Sequence, residues 1–316
     1  MSDPQEINVL YRVARMYYEQ DMTQSEIAKE LSVNRTSISR MLKKIREQGI
    51  VQIRINYDAF RDVAVAEKLK ARYNLKDVIL VPTKRAESKP HRLMAMGQAC
   101  AGYLNEIINE QDVVGFSWGS SLAAVAEAWH PTKGLDITCV PLIGGPDGKL
   151  ASRYYANTIV YEVARKTNGQ SKLIDFPAIV QTPDLKTALT DSGHFREVEG
   201  LWGQLQVAVV GIGSPLINDG PNWLGFYGER LDRSMQDGQV VGDICSNFFD
   251  ASGKLVETEL TGRTISIELA QLKQANYAIG VAESTAKVSA IRAALTAGYL
   301  NVLVTTEETA YELLAE

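Results

Sequence analysis

The chain has 316 residues, 45% of them apolar, 22% charged and 8% aromatic, with a net charge of −5. That balance excludes disorder and low-complexity architecture, and the length leaves room for two or three units, so a small module fits beside a full-sized domain. The chain contains neither a membrane-length apolar run nor, in MSDPQEINVL, a signal-peptide pattern, and its three scattered cysteines, Cys100, Cys139 and Cys245, have no zinc or disulfide spacing. A cytoplasmic protein with reduced structural thiols is expected, with no metal and no membrane partner.

The charge is unevenly distributed. Residues 1–57 hold nine Lys+Arg against seven Asp+Glu, and the remainder 24 against 31. Within 34–54, Arg35, Arg40, Lys43, Lys44, Arg46 and Arg54 face only Glu47. A basic patch on an acidic protein is the electrostatic footprint of nucleic-acid binding.

Residues 6–19 have helical period, with Ile7, Leu10, Val13, Ala14 and Tyr17 on one face. Thr23 followed by Glu26 predicts a capping box and a second helix over about 24–30. Asn34 as N-cap and Gly49 as a left-handed terminator bound a third helix over about 35–48. The apolar set Ile27, Ala28, Leu31, Ile38, Met41, Leu42 and Ile45 fits the inside of two crossing helices, a helix-turn-helix. Arg35, Thr36, Ser39, Arg40 and Lys43 then lie on the outer face of the third helix, where base edges and phosphates would be reached. The plain alternative is a solvated basic helix surface. Ser32 stands where such turns often carry glycine, and alternation over 51–55 predicts a small β-wing.

From Asp58 the pattern changes to short β-rich runs at 78–81, 113–116, 137–140, 207–210, 277–281 and 302–304. Helical segments are expected at 92–108, 121–128, 152–167, 285–297 and 307–315. The alternation predicts an α/β domain with a mainly parallel sheet covered on both faces, whose ligands bind at the carboxyl ends of strands.

The first such loop is Gly115-Phe116-Ser117-Trp118-Gly119-Ser120-Ser121, where amides and hydroxyls at a helix start suit a phosphate or sugar oxygen. It also spells G-x-S-x-G, the nucleophile elbow of serine hydrolases. Against that reading, no histidine follows His194. Gly211-Ile212-Gly213 lacks the third small residue of a dinucleotide fingerprint, since Leu216 occupies it. The loops Gly144-Gly145-Pro146-Asp147-Gly148, Gly211-Ile212-Gly213-Ser214 and Val241-Gly242-Asp243-Ile244 describe a glycine-lined polar crevice, unless the glycines merely make turns. Asp243 is suited to accept sugar hydroxyls, and Lys287 either meets the ligand or is solvated.

The blocks MTQSEIAKELSVNRTSISRMLKKIREQGIVQIRI, VVGFSWGSSL, VPLIGG, VAVVGIGSP, VVGDICSNFFDASG and AIRAALTAGYLNVLVTTEETAYELL, in that order, resemble the SorC/DeoR-type family of sugar-responsive bacterial regulators. The resemblance spans nearly the whole chain. It implies an N-terminal all-α winged helix-turn-helix over 1–56 that binds operator DNA through Gln24, Arg35, Thr36, Ser37, Ser39, Arg40, Lys43 and Lys44. The α/β remainder, 57–316, is implied to resemble phosphosugar isomerases and glucosamine-phosphate deaminases and to assemble tetramers as dimers of dimers. Its sugar or sugar-phosphate effector is expected at Ser117, Trp118, Gly119, Ser120, Ser121, Gly144, Gly145, Gly213, Asp243 and Lys287. No cofactor is implied, and the expected role is control of a carbohydrate-utilisation operon of the sorbose/sorbitol kind. An active isomerase or deaminase fused to a DNA-binding domain, or a serine hydrolase, stays open. Two departures stand out: Thr305-Thr306 where many members have Thr-Asp, and Glu283-Ser284 where many have Gly-Gly.

Overall fold

The structure is a computed structural model that describes residues 4–51, 57–82, 87–131, 134–216, 226–227 and 239–315. Two compact units are present, Met1–Ala59 and Phe60–Glu316.

The N-terminal unit contains α1 (Pro4–Tyr18), α2 (Gln24–Glu30) and α3 (Arg35–Glu47). The capping box forms as expected: the Glu26 amide donates to Thr23 Oγ1 at 3.3 Å, and the Thr23 amide to Glu26 Oε2 at 2.8 Å. Asn34 takes the N-cap position of α3 with extended backbone, but its side chain makes no capping bond. Gly49 is left-handed, at φ +70°. Leu10, Val13, Ala14 and Met16 pack with Ile27, Ala28, Ile38, Leu42 and Ile45 in one core. Ile7 departs from the expected buried face and is 45% exposed. Ser32, in the turn, has φ 52°, a left-handed conformation that costs a side-chain-bearing residue about 1 kcal/mol. The predicted wing falls largely on residues 52–56, which lie outside the described residues.

The C-terminal unit is an α/β domain built on a parallel sheet of seven strands in the order β1-β9-β8-β5-β2-β3-β4. These are β1 (Asp77–Val81), β2 (Val113–Phe116), β3 (Thr138–Pro141), β4 (Gln170–Ser171), β5 (Val207–Gly211), β8 (Tyr277–Val281) and β9 (Val302–Thr306). The near-continuous apolar runs of the inner strands β2, β5, β8 and β9 follow from burial on both faces, whereas edge strand β4 is polar. Val207 and Val209 point into a core with Val114, Phe116, Ile279, Val281, Val302 and Val304. Ala208 and Val210 point into the opposite core with Val78, Val113, Ala278 and Leu303. Burying each Val, Ile, Leu or Phe contributes roughly 1.5–3 kcal/mol before the entropy of ordering is subtracted.

The first core is closed by α5 (Lys89–Ile107), α6 (Ser120–Ala128) and α7 (Ala156–Thr167). The second is closed by α4 (Tyr57–Tyr73), α9 (Gly193–Trp202), α11 (Val288–Thr296) and α12 (Glu307–Leu314). The expected helices at 152–167 and 285–297 each begin instead with a 3-10 turn, Ser152–Tyr154 and Thr285–Lys287.

Four helices were not foreseen among the described residues: the short α10 (Leu269–Leu272), α4, α8 (Pro183–Thr190) and α9. The latter two carried a readable signal, because Thr182 and Ser192 cap them by accepting the Leu185 and Phe195 amides at 3.2 and 3.3 Å.

The stretch 241–244 is not a loop after a parallel strand. It enters an antiparallel hairpin of β6 (Gly242–Ile244) and β7 (Asn247–Phe249). Cys245 and Ser246 form its two-residue turn with φ 52° and 60°, the left-handed pair that matches strand twist and usually takes Asn-Gly.

Candidate functional sites: a basic helix face and a crevice at the sheet's carboxyl edge

In the N-terminal unit, burial of Ile38, Leu42 and Ile45 fixes the rotation of α3. Arg35, Thr36, Ser39, Arg40 and Lys43 are consequently exposed, while Ser37 and Lys44 are half-buried. Lys43 is not a fully free charge, since its Nζ lies 3.8 Å from Glu47 Oε1. Gln24 and Arg35 share the wall of a concavity of about 530 Å³ with Tyr17, Tyr18, Asp21, Met22, Thr23 and Ser25. That hollow brings the starts of α2 and α3 together, where helix N-termini and an arginine suit a phosphate backbone.

In the C-terminal unit the chain leaves β2 toward β3 and leaves β5 toward β8, in opposite directions along the sheet. A crevice therefore opens between the carboxyl ends of β2 and β5, the usual ligand position in open parallel sheets. Ser117 stands at its floor. Its amide donates to the Val209 carbonyl at 3.1 Å, and its hydroxyl accepts the Gly211 amide at 3.2 Å. The neighbouring segment reaches the hairpin, where Gly213 and Asp243 exchange backbone bonds of 2.9 and 3.3 Å. Ser214 then donates its hydroxyl to the Ala286 carbonyl at 3.0 Å, beside Lys287. Ser117, Gly213, Asp243 and Lys287 are thus joined by a continuous run of hydrogen-bonded segments.

Asp243 is a buried carboxylate, 5% exposed. Its Oδ2 accepts the Tyr227 hydroxyl at 3.1 Å and the Ser246 amide at 3.0 Å. Burial, reinforced by the Asp243 charge, raises the Tyr227 phenol well above its ordinary range, so the hydroxyl remains a donor. The left-handed turn at Cys245-Ser246 is what aims the Ser246 amide back at the carboxylate. Burial lowers the Lys287 ammonium, while the Asp243 and Glu283 carboxylates oppose that shift and Lys89 adds to it.

Trp118 stacks edge-on with Phe226 at 4.9 Å between ring centroids, Phe226 with Tyr227 at 4.9 Å, and Tyr227 with Phe248 at 4.9 Å. This aromatic wall leads from the β2 loop to Asp243. Such rings offer apolar faces to the C–H side of a sugar.

The glycine loops contribute less than their composition suggests. The Gly119 amide donates to Tyr154 O at 3.0 Å, the Gly144 amide to Ile265 O at 3.0 Å, and the Gly145 amide to Phe176 O at 2.7 Å. A Cβ on Gly144 would lie 2.8 Å from the Phe176 carbonyl oxygen, so close packing explains that glycine. Gly119, at φ 118°, serves as the N-cap of α6. Among these loops, only Ser120 and Ser121 keep first-turn amides that no acceptor among the described residues takes up.

Two features of the site escaped sequence reading. Tyr227 and Ser246 carried no spacing signal toward Asp243. Glu283 stood out only as a departure, and it proves to be paired: Arg92 Nε donates to Glu283 Oε2 at 3.0 Å and Nη2 to Oε1 at 3.4 Å. Its neighbour Ser284, the second departure from Gly-Gly, has φ 115°. Thr306 caps α12, with its hydroxyl 2.9 Å from that of Thr309.

The elbow match does not carry the geometry of a nucleophile. Ser117 is absent from the positive-φ residues, and the helix starts three positions later. His194 is spent on the Leu173 carbonyl at 3.0 Å. Among the described residues no cluster of His, Cys, Asp and Glu suited to a metal is present, and no helix is long and apolar enough to cross a membrane.

Residues 57–315 match the family model for a sugar-binding domain, and residues 8–68 match a Crp-like helix-turn-helix domain. The chain is 43% identical over 315 residues to the sorbitol operon regulator of Klebsiella pneumoniae, covering 99% of this chain and 100% of that protein. It is 32% identical to the deoxyribonucleoside regulator of Bacillus subtilis, covering 95% of each. The crystal structure of the full-length Klebsiella regulator superposes with a TM-score of 0.78 at 43% identity, over 99% of this chain and 100% of that one.

Proposed function

The chain belongs to the family of transcriptional regulators that join a helix-turn-helix to this sugar-binding domain, and we propose that it governs a sorbitol or sorbose utilisation operon. It is a sugar-responsive DNA-binding regulator. In this reading residues 1–56 form a winged reader, and residues 57–316 hold the effector and assemble tetramers in the cytoplasm. The seven-stranded parallel sheet supports a likeness of the larger unit to phosphosugar isomerases, without turnover.

The observation that carries the effector reading is the convergence of Ser117, Asp243 and Lys287 at the switch point, beside the aromatic wall. A carboxylate, a hydroxyl and an ammonium there suit several hydroxyls of one small molecule. On the reader, Arg35, Thr36, Ser39 and Arg40 meet base edges, while Gln24, Ser37, Lys43 and Lys44 meet phosphates. The effector acts by binding one arrangement of the protein better than another, and about 1–3 kcal/mol of coupling makes a useful switch.

The test is a thermal-shift screen of free and phosphorylated polyols and ketoses, followed by operator gel shifts with each ligand found. A stabilising ligand that also changes operator affinity is expected. A stabilising ligand without effect on operator binding would refute the coupling. Turnover of a sugar phosphate would favour an enzyme instead.

A further inference from the structure

On the reading that the crevice holds the effector, we propose that the C-terminal helix α12 carries occupancy of the crevice to α4, the helix into which the reader leads.

α4 is the element that the two halves of the chain have in common. The match to the helix-turn-helix domain runs to residue 68 and the match to the sugar-binding domain starts at residue 57, so both include 57–68. The boundary between the two units, after Ala59, likewise falls inside this helix. Its later part belongs to the larger unit, where Val65 and Leu69 share a core with Ala310 and Leu313 of α12.

α12 is held at both ends. At its last turn, Arg72 Nη1 of α4 donates to the Leu313 carbonyl at 3.2 Å, and Arg292 Nη2 of α11 to the Glu312 carbonyl at 3.2 Å. Guanidinium groups there satisfy carbonyls that a helix end leaves over and complement its dipole, as Glu307 and Glu308 do in the first turn. In that first turn Thr309 Oγ1 accepts the Ser284 amide at 3.0 Å. A helix of this length spans about 12 Å, and with Thr309, Ala310 and Leu313 buried it moves as one body.

Ser284 is the strained partner. Its φ of 115° and ψ of 139° lie where a residue with a side chain is rarely found. Besides Thr309, the Ala286 amide holds it by donating to its hydroxyl at 3.2 Å, and the Lys287 amide by donating to its carbonyl at 2.9 Å. The same loop is tied to the crevice through the Ser214 hydroxyl on the Ala286 carbonyl at 3.0 Å. Relaxation of Ser284 requires this loop to turn, and the Thr309 contact opposes that turn. A ligand that engages the loop therefore biases a strained and a relaxed arrangement, and the difference reaches α4 as a displacement of α12 against Arg72.

The test measures operator Kd of the full chain without and with saturating D-sorbitol, L-sorbose, D-sorbitol 6-phosphate or L-sorbose 1-phosphate. Wild type, Thr309→Val, Arg72→Met and the double variant are compared. One of the compounds is expected to change the wild-type Kd by about tenfold or more. Each single variant is expected to shrink that change by about threefold or more while calorimetry still shows the compound bound. The double variant should shrink it no further than the stronger single, because the two contacts act in series. Folded single variants that melt lower but keep the full ligand effect overturn the relay, as do losses that multiply in the double variant. Hydrogen exchange on the wild type needs no variant: the bound compound is expected to alter exchange in α12 and in residues 63–73, and unchanged exchange in both overturns the relay. A wild type that binds none of the four compounds, or binds one without effect on operator Kd, overturns the effector reading and the relay together, a result distinct from intact coupling in the variants.

Discussion

The Tyr227 hydroxyl donates to Asp243 Oδ2 at 3.1 Å, and the same oxygen accepts the Ser246 amide at 3.0 Å. Asp243 therefore organises its own surroundings while facing Lys287. Replacing it by alanine leaves the buried Ser246 amide short of an acceptor, which typically costs about 1–3 kcal/mol, while the Tyr227 hydroxyl keeps the Ser246 hydroxyl at 3.0 Å. Asp243→Ala is expected to unfold at lower denaturant and to lose the effector response, with operator binding in the absence of ligand retained. Native effector affinity by calorimetry would show that Asp243 makes no contact with the ligand.

On the reader, the exposure of Arg35 and Arg40 contrasts with the tethering of Lys43 to Glu47 at 3.8 Å. Arg35→Ala and Arg40→Ala are each expected to weaken operator binding by about 1–3 kcal/mol and to relax one base position. Lys43→Ala should weaken all sequences evenly, lowering the salt dependence by less than one full phosphate contact because Glu47 already competes for the charge. Gel shifts across single-base operator variants and a salt series separate the two behaviours. Equal loss on every sequence for both arginine variants would remove them from base reading.

Ser32 holds φ 52° in the turn between α2 and α3. Glycine adopts that conformation without the side-chain penalty, although it adds backbone entropy to the unfolded chain. Ser32→Gly is accordingly expected to stabilise the N-terminal unit by about 0.5–1 kcal/mol. A drop in its unfolding midpoint would mean that the hydroxyl has a role that the turn geometry does not show.

The three cysteines are all buried and reduced. Burial pushes the Cys100 and Cys139 thiols up to about 12, and burial with the Asp243 charge raises Cys245 further. Since the thiolate is the reactive form, none should react with a thiol reagent in the native state at pH 8, and all three should react in denaturant. Rapid native labelling of Cys245 would indicate that the β6–β7 hairpin opens.

What the sequence determined by itself is the short-range part. Thr23 and Glu26 cap each other across three residues, and apolar period separates the faces of α3. Runs such as 207–210 and 302–304 are continuously apolar because both of their faces are covered. Each of these depends on groups a few residues apart, so composition and spacing suffice to read them. The tertiary structure alone decided which polar groups are spent and which remain. Arg92 meets Glu283 across 191 positions, and Gly145 gives its amide to Phe176. Those partnerships follow from strand order in the sheet, and a buried donor must bond whichever acceptor the fold brings to it. The glycine-rich loops that look like anion cradles thereby become mostly structural. Asp243 and Glu283 come within reach of the Lys287 charge in the same way, although no local pattern brings the three together.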